Sequence, residues 1–418
     1  MPTAPERSYR ALLAVPAIGR VLTGMLVSRI ADGMTAIALV LFTLQTFGDP
    51  ALAGLVTFAS IVPGLLLSPV AGALLDRHGR TRLIVLDLSV AASALWLIAI
   101  LAATGALTEP LLVLIVIASS ITGPLRRTGL RSLFPVLVPK HLWERVNAID
   151  ANGYVVATLI GPPAAAALVQ FVGGPTALAV IGLVFAVAAI ILRRAPDPAI
   201  ETVTSGSLVR DAWDGLVYVV RNRTLLTLGI AMSTLNIGGG IVVLMVPLLV
   251  LDHLGGTETM VGLVFAAQGA AGMVAALLFG RVDTRGRERT ILSLSMLAMA
   301  VVLGLLAIPS IAAIALCMGF LGFFNGPMDV ALFTIRQRRT DPAWTGRAFA
   351  VSMSLNFAGY PVGSLIAGGL GTDRLPLALG IAIVATLLGA LMAWLWIPAR
   401  APEPGVSAAD ASFSASAG

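Results

Sequence analysis

The sequence predicts an all-α integral membrane protein, with twelve transmembrane helices in two pseudo-symmetric six-helix bundles. Three observations predict it. Hydrophobic residues make up 58% of the 418 positions and charged residues 11%, with a mean hydropathy of +0.95, against about 25% charged in an ordinary soluble domain. Twelve apolar runs approach or exceed the roughly 20 residues needed to cross a bilayer core. A charged loop, Asp76-Arg-His-Gly79-Arg80-Thr-Arg82, returns 207 residues later as Asp283-Thr-Arg-Gly286-Arg287-Glu-Arg289, which is the mark of a duplicated unit.

The spans follow in order. After a polar, basic start (Met1 to Arg20) with no evident cleavable signal, the first runs over 20–46 and the second over 51–75, ending on the charged loop. Spans three to six cover 83–104, 111–134, 148–170 and 175–192. Residues 193–224 form a linker with Ala-Pro-Asp-Pro and Thr-Ser-Gly-Ser, which are turn and helix-start residues. Within it Trp213, Leu216, Val217 and Val220 share one helical face, opposite Arg210, Asp211, Asp214 and Arg221, the pattern of an interfacial helix or of a plain amphipathic linker. The second half repeats the plan over 225–251, 258–280, 290–308, 310–335, 346–370 and 375–397. The domains expected are thus a bundle over 1–192, the linker, a bundle over 225–397 and a disordered tail over 398–418, rich in Ala and Ser toward its end. Two further pairs support duplication: Gly54 with Gly262, and Gly123-Pro124 with Gly326-Pro327.

With both termini inside, 25 of the 27 Lys and Arg fall in cytoplasmic segments or helix ends, leaving Arg29 in span one and Arg374 in an external loop. That asymmetry orients the chain. The external loops are short and nearly uncharged, their acids being Asp49, Glu109, Asp252, Glu258 and Asp373, and neither face has a soluble domain. The net charge of +6 does not point to nucleic acid, because the basic residues are scattered among apolar segments. One cysteine, Cys317, offers neither a disulfide framework nor a thiolate metal site. His78, His141 and His253 are far apart, and no GxxxxGK[ST] loop occurs. An enzyme, a metal, a cofactor and ATP-driven transport are therefore not expected.

The segment Gly72-Ala-Leu-Leu-Asp76-Arg77-His-Gly79-Arg80-Thr-Arg82 resembles the signature loop between the second and third helices of major facilitator superfamily transporters. Val-Ser28-Arg29-Ile-Ala-Asp32-Gly33-Met-Thr, Gly123-Pro124 with Leu-Phe-Pro135-Val-Leu-Val-Pro139, and Gly346-Arg347 are similar to the macrolide-efflux and enterobactin-exporter-like branch of drug:proton antiporters. Ile160-Gly161-Pro162-Pro163-Ala-Ala-Ala resembles the exporters' Gly-Pro motif in helix five, with Ala where that family often has further Gly. Gly161 and Pro162 serve there for direction or for close helix packing. The resemblance implies the major facilitator fold, alternating access without a cofactor, and a cavity lined by helices one, four, seven and ten. It also implies that the loops carrying Gly72, Asp76, Arg77, Gly79, Arg80, Asp283, Gly286 and Arg287 switch conformation without touching substrate. Gly79 permits the tight turn, Arg80 and Arg82 face anionic headgroups, and Asp76 accepts from a helix N-terminus or an Arg, with Arg131 a candidate.

Charges inside apolar spans are functional by default. Asp32 lies midway along helix one on a proton or substrate path, with Arg29 one turn earlier on nearly the same face; the alternative is a structural Arg29–Asp32 pair. Arg126 and Asp329 follow the two Gly-Pro pairs at equal spacing, so pseudo-symmetry makes them candidates for an inner gate that pairs when the carrier faces outward. The alternative is that Arg126, Arg127 and Arg131 snorkel at a helix end. Asn236 and Asn325 are candidates to hydrogen-bond substrate or neighbouring helices, and Asp87 and Asp150 read as structural. The function expected is proton-coupled efflux of an amphipathic small molecule by a monomeric plasma-membrane carrier; proton-coupled import and lipid flipping are the alternatives.

Overall fold

In a computed structural model of the protein, residues 8–197, 208–279, 286–341 and 344–398 are described. Sixteen α-helices run in order, with no strand among the described residues. A short α1 (Tyr9–Leu13) precedes α2 (Ile18–Phe47), α3 (Pro50–Ala59), α4 (Val62–His78), α5 (Arg80–Ala103), α6 (Glu109–Leu137), α7 (Trp143–Val172) and α8 (Gly174–Leu192). The linker contributes α9 (Leu208–Arg221). The second half comprises α10 (Arg223–Leu248), α11 (Glu258–Phe279), α12 (Glu288–Leu303), α13 (Ile311–Arg338), α14 (Thr345–Phe357), α15 (Gly359–Leu370) and α16 (Leu375–Trp396). Among the described residues, eleven helical stretches are long and apolar enough to cross a bilayer. The twelfth span is divided between α14 and α15.

Two spans are broken, each for the same reason. Proline lacks an N–H, and its ring displaces the carbonyl four residues earlier. Pro63 lies four residues beyond Ala59, where α3 ends, and Pro361 four beyond Phe357, where α14 ends.

Within the first half α2 packs on α7 and α8, α5 on α6 and α8, and α4 on α6. In the second, α10 packs on α15 and α16, α11 on α13, and α12 on α13 and α16. The halves meet chiefly through α3 with α15 and α7 with α11. Small residues set how closely they approach: a methyl group on Gly54 would lie 3.1 Å from the Gly368 Cα, and one on Gly262 would lie 2.8 Å from the Pro163 Cα. Two polar bonds cross at the same end. Gln45 donates to the Glu258 carboxylate at 2.5 Å, and the Thr259 backbone N–H donates to Gln170 at 2.8 Å.

At the opposite end Gly79 and Gly286 adopt positive φ, +90° and +73°, as the signature turns require. The α5 N-terminus also receives a carboxylate that spacing along the loop did not point to. Asp197, just after α8, accepts from the Arg80 and Arg82 backbone N–H groups at 2.9 and 3.4 Å. The Asp76 side chain and Asp283 lie outside the described residues. The tail beyond Pro398 does too.

Helix α9 docks on the second half through Tyr218, which stacks on Trp344 at 5.0 Å and accepts from the Asp341 N–H at 2.9 Å. Buried Val219 packs with Leu225 and Ala348. Trp213, Leu216 and Val220 stay exposed, so the apolar stripe faces away from the bundle.

Candidate functional site

A cavity of about 210 Å³ lies mainly among α2, α4, α5, α6 and α8, with Val243 of α10 and Tyr360 of α15 reaching it from the second half. Its polar wall is a three-residue ion cluster. Arg126 of α6 donates from Nη2 to Asp32 of α2 at 2.8 Å, and its Nε lies 3.2 Å from Asp87 of α5. One helical turn before Arg126, Thr122 donates to the other Asp87 oxygen at 2.6 Å, as i and i+4 neighbours on one face can. The Phe185 ring of α8 stands 4.9 Å from the Arg126 guanidinium carbon. The Arg126 and Asp87 side chains are 5% and 1% exposed, whereas that of Asp32 is 33% exposed. Asp32 is therefore the member of the cluster that water or substrate can reach.

This arrangement corrects several sequence readings. Arg29 does not pair with Asp32: it donates to both the carboxylate and the main-chain oxygen of Asp150 in α7. Arg131 also approaches Asp150, at 3.5 Å, and the Tyr154 ring lies 3.7 Å from the Arg29 guanidinium carbon. Gly153 clears the way, since a methyl group there would lie 2.9 Å from Arg29 Nη1. Asp87, which reads from sequence as structural, also forms part of the cavity wall. Arg126 is not a snorkelling residue, and it is not bonded to Asp329 here. Asp329 accepts from Asn325 at 3.0 Å, within α13, and neither residue lines the cavity. Asn236 donates to the main-chain oxygen of Asn356 at 2.9 Å. Gly161 lies against Gly33, where a methyl group would come within 3.0 Å of the Gly33 Cα, so the helix-five motif packs α7 on α2.

A finer repeat underlies these contacts. Arg29-Ile-Ala-Asp32-Gly33 aligns with Asn236-Ile-Gly-Gly239-Gly240, and Asp150-Ala-Asn-Gly153-Tyr154 with Asn356-Phe-Ala-Gly359-Tyr360. The first half holds the charged version and the second the neutral one. The first pair recurs at the loop spacing of 207 and the second at 206, so the match is legible in the sequence once a one-residue shift between the repeats is allowed.

A family model described as the Major Facilitator Superfamily matches residues 21–255 and again 228–417. The chain belongs to the major facilitator superfamily. It is a multi-pass membrane transporter. An uncharacterised MFS-type transporter, y4rN of Sinorhizobium fredii, is 36% identical over 395 residues, covering 94% of this chain and 97% of that one. The multidrug efflux pump Tap of Mycobacterium tuberculosis is 27% identical over 387 residues, 89% of this chain and 92% of its own. Among solved structures, the nucleoside transporter NupG superposes with a TM-score of 0.71 at 11% identity, covering 90% of this chain and 97% of that chain. That likeness is one of fold.

Proposed function

We propose that this major facilitator chain is a proton-coupled exporter of amphipathic small molecules, working by alternating access. The observation that carries the reading is the Asp32–Arg126–Asp87 cluster on the wall of a cavity built mainly within the first half and reached by Val243 and Tyr360 of the second, in a chain whose halves are held together at one end. An acid sharing its arginine with a second, buried acid can give up that arginine when it takes a proton, since the remaining carboxylate still neutralises the buried charge. Asp32 is the exposed partner and so the entry point. The likeness to Tap, a multidrug efflux pump, supports the outward direction.

With the signature loops and both termini cytoplasmic, as the placement of Lys and Arg favours, the Gln45–Glu258 end faces outside. The arrangement is then inward-open. In the outward-open state Arg126 would exchange Asp32 for Asp329 as the inner gate while keeping Asp87, and the chain acts as a monomer in the plasma membrane. The test is dye efflux from energised cells expressing wild type or Asp32→Asn at equal membrane levels, with and without a protonophore. Protonophore-sensitive efflux lost in Asp32→Asn is expected. Efflux that survives intact in the variant would remove Asp32 from the proton path, and wild-type accumulation of dye would reverse the direction.

A further inference from the structure

The seam between α5 and α6 is bridged by the Thr122–Asp87 hydrogen bond. Farther from the signature loops it holds a second cavity, of about 370 Å³, with Ser93 and Leu97 of α5 and Ala118 of α6 on its exposed rim. This groove and the central cavity share Ala94 and Ser119 as lining residues. Two small side chains are thus the common wall between the outer surface of the bundle and the ion cluster.

A second observation points to what such a passage admits. Arg126 lines the central cavity with a side chain only 5% exposed, and its Nη1 finds no hydrogen-bond acceptor among the described residues. A buried guanidinium N–H without an acceptor is unfavourable, and a ligand oxygen relieves it with a charge-assisted bond. The bilayer offers no such acceptor at this depth, and the groove beside it is mainly apolar.

We propose that the α5–α6 seam is a lateral entrance for amphiphiles: the apolar arm lies in the groove between Ser93, Leu97 and Ala118, passes Ala94 and Ser119, and places an acceptor oxygen on Arg126 Nη1. The chemical class is a single-armed amphiphile with a carboxylate or carbonyl oxygen at its head. This rests on the reading of the cavity as the substrate site and names the chemistry it selects. The shared chemistry could come from a free amphiphile or from a membrane lipid.

The test is photolabelling of the full chain in nanodiscs with diazirine-bearing tetradecanoic acid, its methyl ester and the tetradecyl trimethylammonium analogue, followed by peptide mapping. A parallel arm uses nanodiscs containing a phospholipid with a diazirine acyl chain. The acid and ester should label α5 and α6 saturably, the ammonium analogue should not, and Ser119→Trp should abolish the saturable fraction while Leu114→Trp, on the exposed face of α6, leaves it intact. If Ser119→Trp melts below the wild type, Ala94→Leu provides the same obstruction with less bulk. Saturable phospholipid labelling that the free acid does not displace assigns the groove to a membrane lipid; displacement assigns it to free amphiphiles. Labelling that is equal for the ammonium probe, or unchanged by both obstructing variants, overturns the proposal. Because the labelling needs no proton gradient, absence of protonophore-sensitive efflux would sink the export reading without touching this result.

Discussion

Arg29 and Asn236 make the same bond in the two halves of the chain. Each sits at the same point of its half's first membrane helix and donates to the main-chain oxygen of the aligned residue in the fifth span, Asp150 or Asn356. The first half adds an ion pair to that bond, and the second does without one.

The aligned pairs make the charge separable from the packing. Breaking a buried ion pair by removing one partner costs about 3–5 kcal/mol, whereas removing both is often close to neutral. Arg29→Asn and Asp150→Asn should each lower the thermal midpoint in detergent, and the double variant, which copies the second half, should recover much of the loss. Arg131 is exposed enough to lose its Asp150 contact at little cost. Additive losses in the double variant would show that the ion pair is not the coupling element.

The two acids on Arg126 should separate in the same way. Asp87 is almost fully buried and holds both Arg126 and Thr122, so Asp87→Asn should reduce folded yield and midpoint. Asp32→Asn, at the more exposed position, should remain folded. Size-exclusion profiles and melting curves decide this, and equal destabilisation by the two would make Asp32 structural.

A cross-link should hold the Gln45–Glu258 end closed. In a Gln45→Cys, Glu258→Cys variant, oxidation should stop transport and reduction should restore it. The native Cys317 is buried and should not compete. Cross-linking in full without loss of transport would mean that this end need not open.

Asp197 should behave as a helix cap supplied from a distance. Its removal in Asp197→Ala should cost about 1 kcal/mol, the scale of a lost cap, and should speed amide exchange at Arg80 and Arg82. Unchanged exchange there would show that water replaces the carboxylate without penalty.

Much of the fold was readable in the sequence because lipid imposes one strong rule: long apolar runs must be helices. Gly79 and Gly286 were readable as turn residues because a tight charged turn calls for positive φ, which glycine adopts without steric cost. The ion pairing was not. Arg29 and Asp32 are neighbours on one helix, yet each finds its partner on another, because Gly153 leaves room for Arg29 to reach α7 and the α6 face carrying Thr122 and Arg126 meets α5. Spacing along one helix says nothing about such cross-helix distances. The breaks at Pro63 and Pro361 lay in plain view, but either proline could equally have been accommodated inside a continuous helix, as Pro162 and Pro327 are.

The unequal charge of the halves bears on ancestry. A homodimer of the first half would bring two copies of Asp32 and Arg126 to a shared axis, and any change to one would be made to both. Fusion into one polypeptide releases that constraint, so the second copy can carry glycine at position 239 and asparagine at 236 while the first keeps the ions. The inequality is open only to a carrier whose two halves mutate independently.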